Sequence, residues 1–67
     1  MIEDILNVTP VGESNAQGSR DIWAALGCWA ESTISSRLSI MACRGIIHER
    51  KEKIQTGFKY VYWRDAA

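Results

Sequence analysis

What this sequence has little of narrows its class before any motif is read. Its 67 residues include one proline, one histidine and two cysteines, and the formal net charge is zero. A zinc site needs about four close ligands, and beyond Cys28 and Cys43 the one further strong candidate is His48, so no metal is expected. A disulfide is not expected either, because in a cytoplasmic setting free thiols are the rule. There is no glycine-rich phosphate loop, no nucleophile in a strand-turn-helix setting and no acid pair from which catalysis could be assembled, so the reading is not an enzyme and requires no cofactor. No hydrophobic run approaches the roughly 18 residues of a membrane span. The acids Glu3 and Asp4 stand where a secretory leader carries basic residues. The expectation is therefore a cytoplasmic chain with no membrane partner.

The length allows one domain, residues 1–67, and a chain of this size buries only about 60% of the surface its unfolded form exposes. A large enclosed substrate cavity is not expected. With 24% charged residues, three Trp, two Tyr and one Phe, the composition is too apolar for a disordered chain. The zero net charge conceals an uneven distribution. Residues 1–31 set Arg20 against Glu3, Asp4, Glu13, Asp21 and Glu31, a net of −4, and residues 32–67 set seven basic residues against Glu49, Glu52 and Asp65, a net of +4. Such asymmetry points to an acidic ligand on one side, although short chains also acquire it by chance.

Along the chain, Ile2, Ile5 and Leu6 repeat at helical spacing behind Glu3 and Asp4, which predicts a first helix over about 1–8, ended by Thr9-Pro10. Gly12 to Gly18 is polar and aperiodic and reads as a loop. A second helix over about 19–27 follows from Ser19 as its cap, Ile22, Trp23 and Leu26 as its apolar stripe, and Gly27 as its stop. Cys28-Trp29-Ala30 leaves room only for a tight turn. The third helix, about 31–44, carries Ile34, Leu38 and Met41 on one stripe, which places Ser32, Ser36, Ser39 and Cys43 opposite and Thr33 and Ser35 on the flanks. After Gly45, two β-rich runs over about 46–64 around Gln55-Thr56-Gly57 read as one antiparallel hairpin.

Two helices joined by a short turn, the second with small polar groups outward, fit a DNA major groove about 12 Å wide. Ser32, Thr33, Ser35, Ser36, Arg37 and Ser39 are the candidate recognition residues, able to reach phosphates or base edges. The hairpin adds Arg50, Lys51, Lys53, Gln55 and Lys59, and Arg20 joins them as a backbone contact. Ordinary solvation also produces serine-rich faces, and lysines also protect edge strands from aggregation.

Leu26-Gly27, Ser32-Thr33-Ile34-Ser35-Ser36-Arg37-Leu38, Arg44-Gly45-Ile46-Ile47 and Thr56-Gly57-Phe58-Lys59-Tyr60-Val61-Tyr62-Trp63, in that order, resemble the winged helix-turn-helix domains of small bacterial and phage transcription regulators, the MarR-like and PapI/FaeA-like groups. The resemblance covers about residues 19–64. It implies an α+β fold, mainly α, with three helices followed by a β-hairpin wing. It also implies double-stranded DNA as partner, the third helix in the major groove, the wing on the adjacent minor groove or backbone, and a homodimer on two half-sites. An excisionase-like or replication-associated DNA-architectural role, or a protein partner docked on a winged-helix scaffold, are the competing uses. Of the remaining conspicuous residues, Cys28, Trp23 and Trp63 are expected in the core, Cys43 on the outward helix face, Trp29 half exposed, and His48 solvated or facing phosphate.

Overall fold

The computed structural model describes residues 2–66, so Met1, included in the expected first helix, lies outside them. Three helices, α1 (Ile2–Val8), α2 (Ser19–Leu26) and α3 (Glu31–Cys43), precede a hairpin of β2 (His48–Ile54) and β3 (Gly57–Trp63). This is the α+β arrangement of a winged helix.

Each helix ends for a local reason. The buried Thr9 closes α1, its hydroxyl donating to the Ile5 carbonyl at 2.7 Å beside its own backbone N–H at 2.9 Å. Gly27 closes α2 in the left-handed conformation at φ 74°, with its N–H donating to the Trp23 carbonyl. A Cβ at Gly27 would meet nothing within 4 Å, so the cost of Gly27→Ala is backbone strain alone. That cost is about 1 kcal/mol, and the urea midpoint falls while the slope stays constant.

The apolar stripes meet where their periodicity predicts. Ile34, Leu38 and Met41 of α3 are buried against Ile5 of α1, Ile22 of α2, Ile47 in the α3–β2 connection and Tyr62 of β3. These residues form one continuous cluster. Trp23 packs against its margin while remaining half-buried, and Trp63 is half-buried outside it. The expectation of Trp23 and Trp63 in the core is therefore corrected: the buried cluster is built from Ile, Leu and Met side chains with Tyr62. Cys28 is exposed rather than buried, because the turn lifts it off the helix-facing side. Trp29, half exposed as expected, holds that turn at φ 64° and accepts the Trp23 Nε1–H on its carbonyl at 2.8 Å.

The segment expected to be a loop is more ordered. Glu13–Asn15 form a single 3-10 turn, and Gln17–Gly18 form a two-residue strand, β1, paired antiparallel to β3 through Gln17–Tyr62 and Gly18–Val61. The hairpin is thus part of a three-stranded sheet in the order β1-β3-β2. A strand of two residues has no periodicity to read. Because β1 runs straight into α2, Gly18 rather than Ser19 occupies the cap position, and no side chain caps the helix. Val11 bridges Arg64, whose N–H donates to the Pro10 carbonyl at 2.8 Å and whose Nε–H donates to the Thr9 carbonyl at 3.1 Å. The chain before α2 is thereby tied to the end of β3. Among the described residues, no helix is long and apolar enough to cross a membrane.

Candidate nucleic-acid interface

Burial of the Ile34–Leu38–Met41 stripe turns the opposite side of α3 outward. Ser32, Ser36, Arg37, Ser39 and Cys43 are exposed, and Thr33 and Ser35 are half-buried on the flanks. All six candidate recognition residues lie on one helix, but they do not all look the same way. Ser35 opens on a cleft of about 430 Å³ bounded by Arg20 and Asp21 of α2 and by Lys59, Tyr60 and Tyr62 of β3. Arg37, two positions on, is about 200° further round the helix axis, on the flank away from that cleft.

Strand alternation sorts the wing cations onto two faces. The register pairs Glu49 with Tyr62, Lys51 with Tyr60 and Lys53 with Phe58. Since Tyr62 belongs to the core cluster, this face is the one directed to the helices. The intervening pairs, His48–Trp63, Arg50–Val61 and Glu52–Lys59, occupy the back face. Lys51 and Lys53 therefore project on the helix side, and Arg50 does not.

The two faces differ in how their charges are used. Arg50 donates to Glu13 Oε2 at 2.8 Å and to Glu52 Oε2 at 3.0 Å, and its guanidinium carbon lies 6.0 Å from the centre of the Trp63 ring. Its hydrogen bonds to Glu13 and then Glu52 raise an already high pKa. The pair spans from the 3-10 turn to the back of the sheet, across the position of Val61, which is 2% exposed without belonging to the helix-side cluster. His48 lies on the same back face, with Nε2 2.8 Å from Asp65 Oδ2 and its ring stacked on Trp63 at a centroid distance of 5.3 Å. Sequence reading missed both contacts, because Glu13 and Arg50 lie in segments with no shared pattern.

Lys51 and Lys53 have no carboxylate ion pair among the described residues. Lys51 instead places Nζ 4.5 Å from the centroid of the Phe58 ring. Gln55 is exposed in the turn at the wing tip. Lys59, although its strand position faces the back, extends over the sheet edge at Gly18, where a Cβ would lie 4.0 Å from its Nζ. This brings Lys59 beside Arg20 at the cleft. The arrangement thus gathers Ser35, Arg20 and Lys59 around one cleft and Lys51 and Lys53 on the adjoining wing face, and it leaves Arg50 and Arg37 elsewhere.

The exposed aromatic side chains Phe58 and Tyr60 on that same wing face went unrecognised as site residues. Their signal was present in the sequence as period-2 alternation in Phe58-Lys59-Tyr60-Val61-Tyr62, opposite Lys51 and Lys53. Among the described residues, no group of three or more His, Cys, Asp or Glu side chains is placed to hold a metal ion. Compared with known proteins, the chain matches no family model, no curated sequence and no solved structure.

Proposed function

We propose that this chain binds double-stranded DNA in a sequence-specific manner as a small cytoplasmic transcription regulator of the bacterial or phage type. In this reading α3 enters the major groove with its serine and threonine side outward, and the wing lies on the adjacent backbone or minor groove. The observation that carries the reading is the placement of Lys51 and Lys53, neither held by a carboxylate, on the helix-side face of a hairpin beside the small polar face of α3. Ser32, Ser36 and Ser39 keep most of the outward side of α3 small enough to approach the groove, with Ile40 the large apolar side chain exposed on that helix. Arg20 and Lys59 add charge at the cleft and meet phosphate where α2 and the sheet edge converge.

A single module with zero net charge makes few contacts, and a second copy on a second half-site supplies the affinity that specific sites need. The homodimer is part of the proposal for that reason.

Fluorescence anisotropy of a labelled duplex, titrated over a series of salt concentrations, tests the reading. Four to six phosphate contacts give a log–log salt slope of roughly −4 to −5. Replacing Lys51 and Lys53 together by alanine removes two of them and makes the slope shallower by about 2. Both side chains are exposed, so the fold is retained and the comparison is direct. Absence of duplex binding at low salt, or an unchanged slope in the double variant, rules the reading out.

A protein partner is the second use with an observation behind it. Val8, Leu26 and the half-exposed Trp29 line a shallow groove between α1 and α2, far along the chain from the wing. A chain that fails to bind duplex would direct attention there.

A further inference from the structure

Phe58 and Tyr60 are the most exposed large hydrophobic side chains among the described residues, at 60% and 49%. A chain of this size has few aromatic residues with which to fill a core, and leaving two of its six on a hairpin face gains nothing for the fold. They share the helix-side face of the wing with Lys53 and Lys51, their respective cross-strand partners. Lys51 covers one face of the Phe58 ring, which leaves the other open.

What this surface fits follows from its chemistry. The two ammonium groups lack carboxylate partners, so the ligand is anionic, and the two rings call for flat, polarisable groups between those charges. Nucleic-acid bases joined by phosphates provide both, through stacking on aromatic rings and charge neutralisation of the backbone. Positions two apart on a strand are separated by about 6.8 Å, twice the roughly 3.4 Å rise of a stacked nucleotide strand. Neighbouring bases reach both rings only when the strand has left its stacked geometry. Building on the DNA-binding reading, we propose that Phe58 and Tyr60 receive unstacked bases, so that the chain holds DNA containing unpaired bases more tightly than fully paired duplex. The wing is then a stacking element as well as a phosphate contact.

The test compares a short labelled duplex with the same duplex carrying a central mismatched bubble, at one salt concentration. The wild-type chain is expected to favour the bubble by about tenfold, the scale of one base–aromatic stack. In the variant with Phe58→Ala and Tyr60→Ala, bubble affinity falls to the duplex level while duplex affinity and its salt slope stay within about twofold of wild type. A 2-aminopurine placed in the bubble changes its fluorescence on adding wild type and not on adding the variant. Phe58→Trp with Tyr60→Phe, which keeps two rings, retains the preference. Circular dichroism confirms that each variant is folded.

Equal wild-type affinity for bubble and duplex overturns the stacking proposal and leaves the DNA reading in place. Equal weakening of both probes by the alanine variant does the same, since the rings then touch paired DNA. If the alanine variant keeps the bubble preference but loses self-association in sedimentation, the face belongs to a second copy and the proposal is overturned. Failure of the wild-type chain to bind either probe removes the DNA reading itself.

Discussion

Leu38→Ala is expected to leave a large fraction of the chain unfolded at 25 °C. The Leu38 side chain is fully buried in α3, between Ile34 and Met41, and shares one cluster with Ile5, Ile22 and Tyr62. Removing the isopropyl group beyond its Cβ takes away apolar burial and leaves a cavity that the helix, held on both sides by buried neighbours, closes only in part. Such truncations cost about 2–5 kcal/mol. A single core in a chain this short supplies about 3–5 kcal/mol in total. The loss is therefore comparable with the whole stability, and urea unfolding should show a midpoint lowered to near zero or an absent folded baseline. Ser36→Ala on the exposed side of the same helix is the control, with an effect within about 0.5 kcal/mol. A loss below about 1 kcal/mol for Leu38→Ala would mean that the cavity collapses fully and that the stripe is not where this fold holds itself together.

The elements that position the interface were legible because each buries a repeating stripe. Ile22 with Leu26, and Ile34 with Leu38 and Met41, announced α2 and α3, and the left-handed stop at Gly27 followed from its place at the end of a stripe. The rest had no local signal. Strand β1 is two residues long and is defined by its partners Tyr62 and Val61 in β3, more than forty positions away. Cys28 looked like core by residue type, yet the αL turn at Trp29 leaves it outside. The faces of the wing could be read by alternation, but only the position of Tyr62 in the core decides which face is directed to the helices.

That face assignment changes the meaning of the charge asymmetry. Glu13, from the acidic stretch of the chain, pairs with Arg50 from the basic one, so the two halves are not separate poles of the molecule. Among the described residues their pairing lies on the back of the sheet, where Glu52 also joins Arg50. The consequence is selective. Arg50 is matched on the side turned away from α3, and Lys51 and Lys53 remain unmatched on the side directed to it. A formal charge of zero is thereby compatible with a cationic face beside the polar side of the third helix.

The second large effect is alkaline destabilisation through Tyr62. Its side chain is 4% exposed and forms the sheet's contribution to the core cluster. Burial, with the charge of Glu49 and its hydrogen bond adding to it, pushes the Tyr62 hydroxyl up to about 12 from an ordinary value of 10.0. A proton on this phenol is thus held more tightly in the folded chain than in the unfolded one. Below pH 10 both states carry it and stability is indifferent to pH. Between about pH 10 and 12 the unfolded state releases the proton while the folded state retains it, so stability falls as pH rises, by at most about 1.4 kcal/mol per pH unit. Two units at that slope set an upper bound of about 2.7 kcal/mol, and because the hydroxyl end of the buried ring still reaches solvent, screening keeps the loss below that bound. Tyr62→Phe keeps the ring in the core and abolishes this component, so urea midpoints of wild type and variant should diverge from pH 10 upward, with the variant the less sensitive. Glu49→Gln removes the neighbouring charge, lowers the folded pKa of Tyr62 and reduces the loss without eliminating it, because burial is the larger cause. Parallel decline of wild type and Tyr62→Phe would separate alkaline unfolding from the core, whereas divergence ties the stability of the sheet to the Tyr62 hydroxyl.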